Sequence, residues 1–342
     1  MKIFLPRHTQ CNLVTIYESS IDQFIKTNQS NSICFVDDAK DADMIVLFEQ
    51  WSTKFWQYAD QLLHSDLVNE NISKVFVINN DDLGRGHLPG CYVSLTKRNF
   101  DPELHKACCY PYVINKFVSE EAWRSKHVSP THLFSFRGNL ASYPIRRALL
   151  KLFNNSDEAK VVPVDTEFHA HSDVQKKKYV QDILQSKFVL CPRGASPSTY
   201  RLFEVMELGR CPVIISDDWV QIDGVNWGDF AIVVPESSVE AIPEILRRHE
   251  DRAMELGRCA RESWEANFSE SRRFETMLTA LIELREKLHG KSIDYRQRWR
   301  SWSFYYANGW TVPQRARTKL HNLLQNHRAD VSSNTATGIK PN

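Results

Sequence analysis

The sequence predicts an α/β protein built from two parallel units in tandem. Two observations lead to this class. Short apolar runs alternate with longer amphipathic stretches along most of the chain, and the alternation is interrupted at 123–130, where Ser, Lys, His and Pro replace the apolar pattern. Such alternation is typical of parallel sheets whose strands are connected by helices. The length of 342 residues fits two domains of roughly 150 residues each.

The elements follow from the positions of the apolar runs. In the first unit the predicted strands are 2–5, 32–36, 44–48 and 74–78. In the second unit they are 133–136, 160–164, 187–191, 212–216 and 230–234, with helices at 144–154, 172–186, 199–209 and 238–249. From about Phe268, apolar residues spaced three and four apart predict a long helix that ends at Gly290.

Composition excludes some functions and indicates a compartment. Lys and Arg number 43 against 42 Asp and Glu, so the overall basic excess typical of a duplex-binding protein is missing and we expect no nucleic-acid partner. The eight cysteines form no CxxC pair and no Cys/His zinc spacing, which favours free thiols in a reducing compartment. The N-terminus turns polar after five residues and no long apolar run follows, so we expect a cytoplasmic protein.

The most informative stretch runs from 186 to 219. Its first strand is followed by a loop that carries Arg193 and Gly194, and Ser198 or Thr199 is expected to cap the next helix. A strand-to-helix loop of this kind presents backbone N–H groups and the positive end of a helix dipole at the carboxyl edge of a sheet. That geometry suits a phosphate or pyrophosphate.

Two arginines and a glutamate extend this predicted phosphate site. Arg193 and Arg201 can each donate paired hydrogen bonds to a phosphate and stay charged at any working pH. Glu204 lies three residues after Arg201 on the same helical face, where its carboxylate could accept hydrogen bonds from ribose hydroxyls. The alternative is that Arg201 and Glu204 simply pair with each other on the surface of the helix. The loop and the helix together, however, carry more positive charge than a strand-to-helix turn requires for folding.

The same stretch resembles the signature of the exostosin family of glycosyltransferases. The specific part is the Cys-Pro-Arg-Gly block at 191–194, which the family also carries after a Ser-Lys-Phe strand and before a helix with Arg and Glu. Further segments resemble the family at 133–138, 145–149, 225–236 and, more loosely, 41–48. The resemblance therefore covers roughly residues 40 to 250.

The resemblance implies a GT-B architecture, in which two Rossmann-like domains face each other across a cleft and a C-terminal helix crosses back. Residues 1–128 would form the acceptor-side domain and 129–267 the nucleotide-sugar domain. The helix and basic aromatic segment at 268–330 would pack back on the first domain, and 331–342 would be a disordered tail.

The activity implied is an inverting transfer from a UDP-sugar to a glycan or lipid-linked glycan acceptor. Such a reaction would belong to polysaccharide biosynthesis, as of a capsule or an O-antigen, and would need neither an obligatory metal nor another cofactor. A non-catalytic nucleotide- or carbohydrate-binding protein of the same fold is the alternative. A nucleotide-dependent oxidoreductase or kinase is disfavoured because G-x-G-x-x-G and G-x-x-x-x-G-K-[ST] are missing from the sequence.

Site residues follow from the resemblance position by position. Arg193 and Arg201 would hold the diphosphate, Glu204 the ribose, and Arg137 or Arg146 would bring further positive charge. The loop residues that complete the predicted donor site are Gly194, Ser198 and Thr199. Negative charge develops on UDP as it leaves, and arginines with a helix N-terminus can stabilise that charge.

An inverting transfer also needs a general base for the acceptor hydroxyl. Carboxylates or histidines that follow strands in the first unit are candidates, because ligands meet open α/β sheets at these ends. We rank Asp82 first and Glu49 second, with Asp81 and His8 as further candidates, and a turn or surface role is the alternative for each. The Asp-Ala-Asp tripeptide at 41–43 precedes a strand instead of ending one, so we predict no metal site there.

The C-terminal segment 285–328 is strongly basic and rich in aromatic residues. It contains ten Lys or Arg against two acidic side chains. We expect its aromatics to dock against the first domain. Peripheral binding of 291–328 to the inner face of a membrane is the alternative, since interleaved cations and aromatics are typical of interfacial segments.

Overall fold

The structure, a computed structural model, describes residues 1–6, 18, 21–26, 33–50, 61–62, 64–82, 84–111, 115–123, 127–165, 170–291 and 301–308. The chain divides into two compact units, Met1–Ile293 and Asp294–Asn342. The first unit contains two parallel sheets with helices, so the α/β class predicted from the sequence is confirmed.

The first sheet has six parallel strands in the order β2-β1-β3-β4-β5-β6. Its strands are β1 (Lys2–Phe4), β2 (Cys34–Val36), β3 (Met44–Gln50), β4 (Val75–Asn80), β5 (Gly90–Tyr92) and β6 (His105–Ala107). The four predicted strands are confirmed, whereas β5 and β6 were not predicted because each has three residues and no apolar run. Gly90 lets β5 approach β4, since a Cβ there would clash with the Val77 carbonyl.

Two short helices of the first half of the chain begin with clear N-caps: α1 (Asp66–Asn71), which precedes β4, and α2 (Lys116–Glu121), which packs against helix residues 173–184 of the second half. Residues 21–26 are also helical. Ser65 begins α1, and its side chain accepts a hydrogen bond from the Val68 N–H at 3.3 Å. Asn115 begins α2 in the same way, accepting from the Phe117 N–H at 3.1 Å. Both are N-cap residues of the preferred types.

The second sheet has five parallel strands in the order β11-β10-β9-β7-β8. Its strands are β7 (His132–Gly138), β8 (Ala159–Pro163), β9 (Ser186–Pro192), β10 (Cys211–Ile215) and β11 (Ile232–Val233). Its helices are α3 (Pro144–Phe153), α4 (Asp173–Leu184), α5 (Tyr200–Glu207), α6 (Ile242–Arg247) and α7 (Ala253–Asn267). The five predicted strands and the helices α3, α4 and α5 are confirmed.

The helix predicted at 238–249 is shorter than expected. The chain forms a 3₁₀ helix at Glu236–Ala241 and then α6, and Ser238 has non-helical backbone angles. Pro243 lies in the first turn of α6, where its missing N–H costs no hydrogen bond. The break from helical geometry at Ser238 therefore separates the 3₁₀ helix from the shorter α-helix that follows.

Helix α8 (Glu270–Leu288) returns from the second sheet to the first, so the predicted helix that crosses back is confirmed. Arg273 Nη1 donates to the Pro111 carbonyl at 2.7 Å, and Lys287 Nζ donates to the Pro102 carbonyl at 3.2 Å. Gly290 follows the helix with φ +76°, the left-handed conformation that glycine supplies at a helix end.

In the second unit, the described helix is α9 (Trp302–Ala307), begun by Ser301, whose hydroxyl accepts from the Phe304 N–H at 3.2 Å. Most of the segment 291–328 lies outside the described residues, and so does the predicted tail 331–342. No helix in the described part of the chain has both the length and the hydrophobicity needed to cross a bilayer.

Candidate active site

A cavity of about 520 Å³ opens between the carboxyl ends of the two sheets. Ligands of open α/β sheets bind at these ends. From the side of the first sheet the lining residues are Asn80, Asp82, Tyr110 and Asn115. From the side of the second sheet the cavity is lined by the loops after β7, β8 and β9 and by helices α4 and α5.

The loop between β9 and α5 supplies one wall of this cavity. Gly194, Ser198 and Thr199 line it, as predicted for a donor site. Thr199 is the N-cap residue of α5, and its side chain makes no capping hydrogen bond. Gly194 packs closely on Arg146, since a Cβ there would lie 3.1 Å from Arg146 Nη2 and the guanidinium would have to shift slightly.

Arg201 reaches the cavity from the first turn of α5. Its Nη2 donates to the Arg137 carbonyl, and its guanidinium carbon lies 4.6 Å from the ring centroid of Phe136. Its Nε and Nη1 are buried without a hydrogen-bond partner among the described residues. Gly138 makes room for this placement, since a Cβ there would lie 2.9 Å from Arg201 Nη2. Unpaired donors on a buried cation are costly, and Arg201 lines a cavity in which a ligand could accept from them.

Glu204 lies one turn further along α5 and offers an acceptor. The Tyr179 hydroxyl donates to its Oε2 at 2.6 Å, while its Oε1 is buried with no partner in the described part of the chain. Burial raises the pKa of this carboxyl to about 7. Glu204 and Arg201 are 6% and 8% exposed, so the alternative of a pair on the helix surface is wrong.

Arg137 and Arg146 also line the cavity, with their hydrogen bonds directed into the protein. Arg137 Nε donates to Asp182 Oδ2 at 2.6 Å. Arg146 Nε donates to the Arg193 carbonyl at 2.9 Å and its Nη2 to the Pro192 carbonyl at 3.2 Å. Burial, together with the charge of Arg201, lowers the pKa of Arg146 to about 9. The two arginines therefore fix the loops and add positive charge near the cavity.

Arg193 is the predicted phosphate ligand that the structure does not bring to the cavity. Its Nη1 donates to Asp218 Oδ2 at 2.8 Å, and its guanidinium carbon lies 4.3 Å from the ring centroid of Tyr143. It is 7% exposed and does not line the cavity. The cause is Asp218, the acidic residue after β10, which attracts the guanidinium to the other side of the loop.

Among the base candidates that lie within the described residues, Asp82 is the one that faces the cavity. Its side chain is open to the cavity, and desolvation in the cleft raises its pKa, while a hydrogen bond with Ser196 acts in the opposite direction. Ser196 belongs to the loop between β9 and α5, and its hydroxyl oxygen lies 3.5 Å from that of Tyr110. The structure thus brings Asp82 together with the loop that carries the predicted donor residues.

Glu49, the second-ranked candidate, is placed elsewhere. Strand β3 extends to Gln50, so Glu49 lies within the strand and is fully buried. Its Oε1 is 2.9 Å from His87 Nε2 and its Oε2 accepts from Asn79 Nδ2 at 2.8 Å. These contacts make Glu49 part of a buried polar network, and it does not line the cavity.

The remaining candidates are also accounted for. Asp81 is buried beneath Asp82, and its Oδ1 accepts the Asp82 N–H at 3.2 Å. His8 lies outside the described residues. In the tripeptide at 41–43, Asp43 Oδ2 accepts the Lys2 N–H at 2.8 Å. Within the described ranges no group of three His, Cys, Asp or Glu side chains is arranged to hold a metal ion.

Two features of the site were missed at the sequence level. Tyr179, which bonds Glu204, comes from α4, and its sequence neighbourhood carries no chemical motif. Tyr110 stacks on Tyr200, with ring centroids 3.7 Å apart, and so connects the first sheet to the start of α5. Lys176 and Tyr179 both line the cavity. Their spacing of three residues places them on one face of a helix, and this spacing is the signal in the sequence that could have indicated a role for α4.

Two parallel sheets with a cationic cavity at their carboxyl ends define an open α/β protein whose cavity lies where such folds bind ligands. The chain belongs to the exostosin GT47 family: the family model described as Exostosin GT47 domain matches residues 71–249, just over half of the chain. The resemblance drawn from the Cys-Pro-Arg-Gly block is therefore confirmed.

Individual relatives match over part of their length. The chain is 28% identical over 175 residues to an Exostosin-1 homolog of Caenorhabditis elegans, covering 46% of this chain and 46% of the relative. It is 31% identical over 137 residues to a probable glucuronosyltransferase, Os01g0926400, of Oryza sativa subsp. japonica, covering 37% of this chain and 31% of the relative. The chain thus spans less than half the length of these curated relatives.

Among solved structures, the chain is similar to Anabaena Alr3699/HepE in complex with UDP and glucose, at a TM-score of 0.35 and 11% identity, covering 83% of this chain and 98% of that one. It is also similar to WaaG, a glycosyltransferase involved in lipopolysaccharide biosynthesis, at a TM-score of 0.36 and 8% identity, covering 81% and 98%.

Proposed function

We propose that this protein is a glycosyltransferase that moves a sugar from a UDP-sugar to a hydroxyl of a glycan or glycolipid, with inversion at the anomeric carbon. One observation carries the proposal: the cavity between the two sheets holds buried donors on Arg201 and a buried acceptor on Glu204 that have no partner in the described protein. Membership of the exostosin family, and a relative named as a probable glucuronosyltransferase, support sugar transfer as the reaction.

The donor's nucleotide fits the second-sheet side of the cavity. Arg201 Nε and Nη1, near the positive end of the α5 dipole, are donors of the kind that bind a diphosphate. Glu204 Oε1 is an acceptor of the kind that binds ribose hydroxyls. As the bond between the anomeric carbon and UDP breaks, the negative charge that grows on the diphosphate is stabilised by these fixed positive groups. We infer that no metal is required for this step.

The acceptor is attacked from the opposite wall. Asp82 takes the proton of the acceptor hydroxyl while the hydroxyl oxygen bonds to the anomeric carbon and UDP departs from the other face. The raised pKa of Asp82 suits this role, because a general base works best when its pKa approaches the operating pH. We propose polysaccharide biosynthesis in the cytoplasm as the setting of the reaction, with peripheral membrane contact of the basic segment 291–328 as the alternative to its docking against the first domain.

A UDP-release assay tests this function. The purified protein is incubated with a panel of UDP-sugars and glycan acceptors, with and without EDTA, and free UDP is measured. We expect acceptor-dependent release that survives EDTA, is lost in Asp82→Asn, and is retained in the control Asp229→Asn, an exposed carboxylate away from the cavity. Nucleotide binding without release for any pair would instead indicate the non-catalytic binding protein.

A further inference from the structure

We propose that Tyr179 is a positioning residue of the nucleotide site, which fixes the Glu204 carboxylate so that a single oxygen faces the ligand and which keeps that carboxylate away from Arg201. The inference rests on the proposed function, because it concerns how the nucleotide site is held ready. Tyr179 lies outside the segments in which the sequence resembles the exostosin family.

The hydrogen bond between Tyr179 and Glu204 is short and partly buried. The hydroxyl donates to Oε2 at 2.6 Å across the gap between α4 and α5, and both side chains line the cavity. A carboxylate held by one oxygen cannot rotate freely, and the other oxygen is then fixed in direction. That second oxygen, Oε1, is the one without a partner among the described residues.

The same aromatic ring also contacts the cation of the site. The Arg201 guanidinium carbon lies 5.6 Å from the ring centroid of Tyr179 and 4.6 Å from that of Phe136. Both rings are within the range of cation–π attraction. Tyr179 therefore touches the acceptor group through its hydroxyl and the donor group through its ring.

This arrangement prevents the site from closing on itself. Glu204 and Arg201 carry opposite charges on one buried helix face, so they attract each other. If the carboxylate turned to the guanidinium, the N–H groups and the oxygen that are free for a ligand would satisfy each other. The Tyr179 hydroxyl offers Glu204 a competing partner and leaves both groups available to the nucleotide.

A second consequence concerns pH. The ionisable groups that face Glu204 are Tyr179 on α4, Arg201 and Glu207 on α5, and Cys191 on β9. The bond from Tyr179 favours the ionised carboxylate and so lowers its pKa against the larger effect of burial. Loss of the hydroxyl must raise that pKa further, so Glu204 would take up its proton at a higher pH.

Removal of the hydroxyl alone tests this. UDP affinity is measured by isothermal titration calorimetry between pH 6 and 9 for the wild type, Tyr179→Phe and the control Tyr143→Phe. Tyr143 is a matched control because its hydroxyl bonds Glu236 and its ring faces Arg193, all outside the cavity lining. We expect Tyr179→Phe to weaken UDP binding about tenfold at pH 7.5, the usual effect of losing one hydrogen bond to a charged group.

The pH at which affinity is half lost should also move upward in Tyr179→Phe, while Tyr143→Phe leaves both quantities unchanged. If Tyr179 served only to stabilise the fold, its replacement by Phe would not change the pH at which UDP affinity is half lost. In a Glu204→Gln background, Tyr179→Phe should change affinity less than about twofold, because the two residues act as one unit.

Three results would overturn the inference. The first is a wild-type affinity and midpoint in Tyr179→Phe. The second is a tenfold loss that persists in the Glu204→Gln background, which would mean that the hydroxyl does not act through the carboxylate. The third is a wild type that binds no UDP at any pH, which overturns the proposed function itself and this inference with it, and which is distinct from the first two because the unaltered protein fails.

Discussion

Glu204 should make the free protein less stable at neutral and alkaline pH, because the site keeps a carboxyl where water cannot solvate its charge. Burial raises the pKa of this carboxyl from its ordinary 4.5 to about 7. Replacement by Gln keeps the shape and removes the titration. We therefore predict that Glu204→Gln stabilises the unliganded protein above pH 7 while it weakens nucleotide binding.

The magnitude follows from the pKa difference. In the unfolded chain the carboxyl loses its proton near pH 4.5, whereas in the folded chain it keeps the proton until about pH 7. The free energy of unfolding therefore falls as pH rises through that window, and above the window Glu204 causes no further decrease. At about 1.36 kcal/mol per pH unit, the wild type should lose about 3 kcal/mol between pH 4.5 and 8.5 that Glu204→Gln does not lose.

Urea unfolding at pH 5 and pH 8.5 measures this difference directly. The control is Glu262→Gln on α7, an exposed carboxylate paired with Arg258, for which we expect a change below about 0.5 kcal/mol at both values. A Glu204→Gln protein whose stability relative to the wild type is the same at both pH values, or falls as pH rises, would refute the account of this buried carboxyl.

Three further predictions concern the cavity. Arg201→Lys should weaken UDP binding about tenfold or more, because an ammonium lacks the planar fork of a guanidinium. Arg193→Lys should leave the UDP affinity measured by calorimetry unchanged. Equal losses of affinity in the two variants would contradict the placement of Arg193 outside the cavity. Gly138→Ala should weaken UDP binding about tenfold, since its Cβ would lie 2.9 Å from Arg201 Nη2; an unchanged affinity with an unchanged circular dichroism spectrum would count against this. Asp82→Asn should lower the rate of transfer by a factor of about 10² to 10⁴ with UDP affinity retained, and an active variant in a UDP-release assay would remove Asp82 from the base role.

Much of the fold could be predicted because parallel strands buried on both faces appear as continuous apolar runs. Strand β4 is buried at every position, and its run was visible in the sequence. Strands β5 and β6 were not visible, because they depend on pairing with a neighbouring strand, β5 with β4 and β6 with β5, and not on their own composition: Gly90 and His105 begin them. Pairing of this kind is a tertiary property.

The site was predictable where its residues belong to one loop and one helix. Arg201 and Glu204 share a face of α5, so their helical spacing placed them together. Arg193 was misplaced because a loop residue can point to either side, and the deciding partner, Asp218, comes from the end of a different strand. Tyr179 was not predicted for the same reason, since its hydrogen bond to Glu204 joins two different helices.

The central claim is that the unpaired groups of Arg201 and Glu204 are the two halves of a nucleotide site. A crystal structure of the protein with UDP tests it most directly. We predict density for the diphosphate within hydrogen-bond distance of Arg201 Nε and Nη1, and a ribose hydroxyl at Glu204 Oε1. Density for UDP elsewhere on the protein, with these three atoms still unpaired, would contradict the claim.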